Sequence, residues 1–162
     1  MTLATIIDPG YKIALFLHIL AVVLAFGPTF GYGFFFSVAP QFPRATPAII
    51  AGVQKVDRYL VTPGMIVLLV AGIYLQTDGD WDASAAFLSV GYLAIISLFA
   101  LQGAFFKPQT RKARELAERD LKAGDALSDE FNAVSERLSK VGGLAGLIVV
   151  VTIFFMTYKP FL

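Results

Sequence analysis

Residues 11–26 read YKIALFLHILAVVLAF, an apolar run interrupted by Lys12 and by His18, the single histidine of the chain. Continued to Ser37, the run exceeds the roughly 20 residues a helix needs to cross the ~30 Å hydrocarbon core of a bilayer. Three more stretches qualify, at 59–75, 85–106 and 141–158. Hydrocarbon offers peptide groups no partners, so each is predicted as a helix rather than a strand. Short links between apolar helices make a bundle. The expected fold is all-α: residues 1–162 form one integral membrane four-helix bundle, with a helical hairpin at 107–140 between spans three and four.

Composition agrees. Of the 162 residues 57% are hydrophobic, against about 45–50% in soluble domains, and the mean hydropathy is +0.71. The absence of cysteine excludes disulfides, thiolate metal sites, iron–sulfur clusters and cysteine catalysis. Lys and Arg number 13 and Asp and Glu 12, so charge points to no nucleic-acid partner. No Gly-rich phosphate loop, HExxH or nucleophile elbow occurs. The opening MTLATIIDPGYK lacks a basic n-region and a small-residue cleavage site, so the first span is expected to be retained.

Where the basic residues lie predicts orientation. Arg44, Lys55 and Arg58 lie between spans one and two, and eight more lie at 107–140. QTDGDWDAS (76–84) has none. Loops one and three are therefore expected in the cytoplasm, with both termini outside and Tyr11, Tyr74, Trp81 and Tyr158 in an outer aromatic belt. In the 107–140 segment, Glu115 with Arg119 and Glu118 with Lys122 have i,i+4 spacing. Gly124 should end one helix and Ser128 cap the next. Leu127, Phe131, Val134, Leu138 and Val141 mark its buried stripe. This segment is either a solvated connector or a docking surface for a partner or for lipid headgroups.

Within the spans His18 stands out. It shares a helical face with Ala14, Ala21 and Ala25, which leave room beside it. Its imidazole could ligate a metal or haem iron, relay a proton, or simply hydrogen-bond a neighbouring helix. Counting from the loops brings 71–74, Ser89, Tyr92 and Met156 to its level. Tyr74 and Tyr92 are the expected hydrogen-bond partners, and Met156 is a candidate second ligand. With one histidine, bis-histidine haem within the chain is excluded. Gly27 with Gly31, and Gly142 with Gly146, are spaced four apart and are expected to allow close helix packing. Pro28 and Pro63 should kink their helices. Asp57 is expected to form an interfacial ion pair with Arg58 or Lys55. The absence of charge at mid-span argues against a proton-coupled transporter or an ion pump, and a small channel or transporter is the least favoured function class.

LHILAVVLAFG (17–27) and DRYLVTPGMIVLLVAGIYL (57–75) resemble an uncharacterised bacterial family of predicted four-span integral membrane proteins. More distantly they resemble the HemJ-type protoporphyrinogen oxidases and the CopD-like proteins, and TYKPF (157–161) is similar to the HemJ-type terminus. The resemblance implies a location in the bacterial cytoplasmic (inner) membrane and a haem b, porphyrin or copper role for His18. The sequence departs from the HemJ type in lacking a basic residue in LSVGYLAII (88–96) and in reading VGGLAG (141–146) at the fourth span's entry. Two function classes follow. One is a non-enzymatic accessory subunit of a membrane complex or homo-oligomer, and the other a cofactor-binding membrane protein. No catalytic residue is assigned.

Overall fold

The computed structural model describes residues 8–82 and 84–159. The opening residues 1–7, and Pro160 and Phe161 of the terminal motif, lie outside the described residues. Helix α1 (Pro9–Val38) begins at Asp8, whose carboxylate accepts the Tyr11 N–H at 3.0 Å. Pro9 opens the helix, where a missing N–H costs nothing. Two 3₁₀ turns (Ala39–Gln41 and Pro43–Ala45) lead into α2 (Thr46–Val56), a π turn (Asp57–Val61) and α3 (Thr62–Asp78). α4 (Ala86–Leu101), a second π turn (Gln102–Phe106) and α5 (Lys107–Ala123) follow, and α6 (Asp129–Tyr158) ends the described chain. Four continuous rods result, Pro9–Val38, Pro43–Asp78, Ala86–Ala123 and Asp129–Tyr158, each long and apolar enough to cross a membrane. Among the described residues there is no strand. The fold is the expected all-α, four-helix membrane bundle.

The two π turns share a local cause. Pro63 and Pro108 each stand second in the helix after the turn. Proline donates no N–H and crowds the preceding turn. A wider i→i+5 turn absorbs the conflict. The N–H of Thr62 reaches the Asp57 carbonyl, and that of Lys107 reaches the Gln102 carbonyl. Each turn therefore starts on a polar residue six positions before a proline.

Two hydrophobic cores stack along the bundle. The first joins Ala21, Ala25, Phe26, Val61, Met65, Leu68, Ile95, Leu98 and Val149. The second joins Phe36, Ile50, Ala113, Leu116, Ala117, Phe131, Val134 and Leu138, from the end of α1, α2, α5 and the start of α6. Residues 46–58 read as loop in the sequence because their hydropathy is low, but Ile50 and Val53 form a short buried stripe that makes them helical. α1 packs most closely on α3, and α6 bridges α1 and α4. α3 and α4 scarcely touch although a short loop joins them.

The hairpin forms where expected. Gly124 ends α5, and Ser128 Oγ accepts the Phe131 N–H at 3.3 Å. Its ion pairs differ from the expected ones. Glu115 pairs with Arg111 at 2.9 Å and Glu118 with Arg114 at 2.7 Å. Arg119 turns instead to Asp120 beside it on α5 (2.8 Å) and to Glu130 across the hairpin bend (3.0 Å). Two carboxylates held at the bend outcompete Glu115.

The glycine pairs do not do what their spacing suggested. A Cβ at Gly27 or Gly142 would meet nothing within 4 Å, and one at Gly31 would meet only Phe35 of its own helix. Gly146 alone approaches another helix, at Phe30. The tight crossing is Gly64 on Ala25, where a Cβ would sit 3.1 Å from Ala25 N and Cβ.

Thr46 locks the corner between α1 and α2. It is wholly buried, and its Oγ1 donates to the Ala39 carbonyl at 2.9 Å. Thr46→Val keeps the shape but removes that bond, leaving the Ala39 carbonyl with the Phe42 N–H alone. It should cost ~0.5–1.5 kcal/mol, read as a lowered Tm in detergent.

Candidate functional site

α1, α3, α4 and α6 line a half-open cavity of about 370 Å³, within the ~300–1,000 Å³ range of cofactor pockets. Its walls are apolar except for His18, Tyr92, Thr152 and Thr157. Gly72 and Gly91 make the room. A Cβ at Gly72 would press on the His18 ring at 3.2 Å, and Gly91 faces the Met156 methyl. Three of the four residues expected at the site, His18, Tyr92 and Met156, therefore line one space. Tyr74 does not. It is 43% exposed, with its hydroxyl beside Gly10.

His18 has a fixed tautomer. Its Nδ1 lies 3.1 Å from the Leu68 carbonyl oxygen. A carbonyl can only accept, so Nδ1 carries the proton and Nε2 keeps a free lone pair. The expected partners Tyr74 and Tyr92 are not used. Tyr92 donates instead to Gln76 Oε1, and the Leu68 carbonyl is nearer on the facing helix.

A second polar cluster sits nearer the hairpin end, in a cavity of about 710 Å³ lined chiefly by α1 and α6. Asp57 is only 6% exposed, and its Oδ1 accepts the Tyr32 hydroxyl at 2.9 Å. Gln102 is 8% exposed, and its Nε2 is buried without a hydrogen-bond partner. The expected pairing of Asp57 with Arg58 or Lys55 does not occur. Arg58 lies over the Tyr59 ring at 5.8 Å on the exposed side, while Asp57 is turned into the bundle. The sequence held a signal for this. Asp57 stands at seven- and four-residue spacings from Ile50, Val53, Val61 and Gly64, all buried.

Of the aromatic belt expected at the far end, Tyr74 and Tyr158 are exposed, Tyr11 is buried, and Trp81 packs on other partners. Trp81 meets Phe87 edge-on at 5.3 Å, and Lys159 Nζ lies 3.9 Å over the Trp81 ring. Among the described residues no cluster of three or more His, Asp or Glu could hold a metal ion.

No curated protein and no solved structure matches the chain. One family model does, over residues 12–160, a span that takes in both cavities and the hairpin. The chain belongs to that family, whose description is "Predicted integral membrane protein (DUF2269)".

Proposed function

We propose that this integral membrane protein binds a haem or porphyrin in the cavity beside His18. The observation that carries the reading is the Nδ1 contact to the Leu68 carbonyl, which leaves Nε2 as a lone-pair donor in an apolar space. Metal-ligating histidines are commonly oriented this way, with the second nitrogen bonded to a carbonyl or carboxylate. A porphyrin brings four nitrogens of its own, so His18 would suffice as protein ligand, with Met156 a second candidate in the same cavity. When bound, haem would supply a redox-active iron. Copper fits less well, since His18 and Met156 are only two donors. The resemblance of residues 17–27 to HemJ-type proteins points the same way.

The cellular setting is part of the proposal. Eleven of the 13 basic residues lie in loops one and three. That charge distribution supports a hairpin in the bacterial cytoplasm with both termini outside the inner membrane. The accessory-subunit reading rests on the outer face of α6, where Leu144, Leu147 and Val150 are exposed. Lipid covers such a face as well as a partner would.

The test is an absorption spectrum of protein purified in mild detergent, before and after haemin titration, with and without dithionite. A Soret band that sharpens on reduction is expected, and His18→Ala should remove it while the helical circular dichroism stays. A protein that remains colourless with haemin would sink the reading. If it also migrated within a larger assembly, the accessory role would take its place.

A further inference from the structure

The Asp57 cavity is separate from the His18 cavity, divided from it by the shared wall of Phe26, Leu98 and Val149. It combines three features. The first is a buried carboxylate with no cationic side chain within ion-pair distance among the described residues, Lys107 acting on it only from farther off. Ionisable groups buried in membrane proteins are costly and mark functional sites. The second is Gln102, more than nine-tenths buried, lining the same space with its Nε2 unpartnered. A buried amide left without a partner costs free energy that a ligand can recover. The third is the wall. Phe26, Phe30, Phe36 and Phe106 line it, and Gly142 leaves open space among them. The electron-rich face of an aromatic ring attracts a cation.

Position narrows the ligand further. At 1.5 Å per residue Asp57 lies ~30 Å from the Asp78 end of its rod, near the opposite edge of a bilayer's hydrocarbon core. Phe34 and Leu147, which also line the cavity, are 75% and 58% exposed on the outside of the bundle. The cavity therefore opens sideways, between α1 and α6, toward lipid. A ligand entering there meets apolar walls first and the carboxylate last.

We propose that this cavity binds an amphiphilic organic cation, with its positive centre against Asp57 and its apolar body between α1 and α6. Tyr32 holds the carboxylate in place through its hydroxyl. Gln102 turns its amide toward the Asp57 carboxylate and lines the cavity beside it.

The proposal is tested with radiolabelled tetraphenylphosphonium and the purified full chain in a neutral detergent, by equilibrium dialysis. Saturable binding of one cation per chain is expected, displaced by dodecyltrimethylammonium and not by dodecyl sulfate. Asp57→Asn should weaken it roughly tenfold or more, because the cation loses its counter-charge in a poorly solvated site. Gly142→Leu provides a second arm. Its Cβ meets nothing within 4 Å, so the fold should tolerate the change while the side chain fills the cavity. It should abolish saturable binding with Tm unchanged. The proposal is overturned if the wild type shows no saturable binding. It is equally overturned if a folded Asp57→Asn protein binds as the wild type does. Should Asp57→Asn not fold, wild-type binding by Gly142→Leu overturns it alone.

Discussion

Phe131→Ala is expected to open the helical hairpin while the apolar helices stay intact. Phe131 is wholly buried at the head of α6, among Ile50, Leu116, Ala117 and Val134. Truncating a buried phenylalanine to alanine typically costs ~3–5 kcal/mol. That is a large part of what a layer this small can muster. The faces around the second core carry exposed ion pairs such as Arg111–Glu115, so water surrounds it and the full hydrophobic penalty applies. Limited trypsin digestion reads the effect directly. The variant should be cut within 107–140 at protease levels the wild type survives, and the apolar fragments should persist. Leu144→Ala, on a side chain 55% exposed, is the control and should digest as wild type. Equal resistance of wild type and Phe131→Ala would mean the second core does not hold the hairpin.

That core also bears on the candidate sites. The larger cavity takes Phe36 and Leu138 from the second core, and Val61, Met65 and Leu98 from the first. Asp57 and Gln102 stand at the seam, where two rods change from one layer to the other. A π turn adds one residue, and one residue turns the following face by ~100°. Each rod can thus bury one stripe against the hairpin layer and a rotated stripe against the membrane layer. The polar residues at the start of each turn are thereby carried inward rather than toward the surface.

Much of this was legible, for reasons that differ by feature. The four rods follow from uninterrupted apolar runs, which hydrocarbon forces into helix. Counting along antiparallel rods placed 71–74, Tyr92 and Met156 level with His18, and Gly72, Tyr92 and Met156 do line its cavity. The hydrogen-bond partner was not legible, because depth alone does not separate a tyrosine hydroxyl from the Leu68 carbonyl. α2 was hidden by its low hydropathy. The glycine stripes misled because a spacing of four fixes a helical face but not whether that face looks inward. Asp57 misled because a neighbour in sequence, Arg58, was taken for a neighbour in space.

Gly64→Leu is expected to be the most damaging substitution in the membrane layer. An ideal Cβ at position 64 would lie 3.1 Å from both Ala25 N and Ala25 Cβ, and 3.3 Å from Ala25 Cα. Two of those atoms are backbone, so no flexible side chain can swing away. Ala25 has no exposure at all. Alanine at 64 would gain ~1 kcal/mol of helix propensity over glycine and lose some of it to this contact. Leucine adds three more carbons with nowhere to go, and overpacking of this kind costs ~1–3 kcal/mol or more. The damage should spread along the α1–α3 seam in both directions. One way it reaches the His18–Leu68 contact, and the other way the Tyr32–Asp57 hydrogen bond. Gly64→Leu should therefore lower Tm, broaden the detergent size-exclusion peak and weaken ligand binding at both cavities together. Gly142→Leu, with open space at its Cβ, should affect only the larger cavity. If Gly64→Leu melted like the wild type, α1 and α3 could not cross as closely as the Ala25 contact requires, and the geometry of both sites would fall with it.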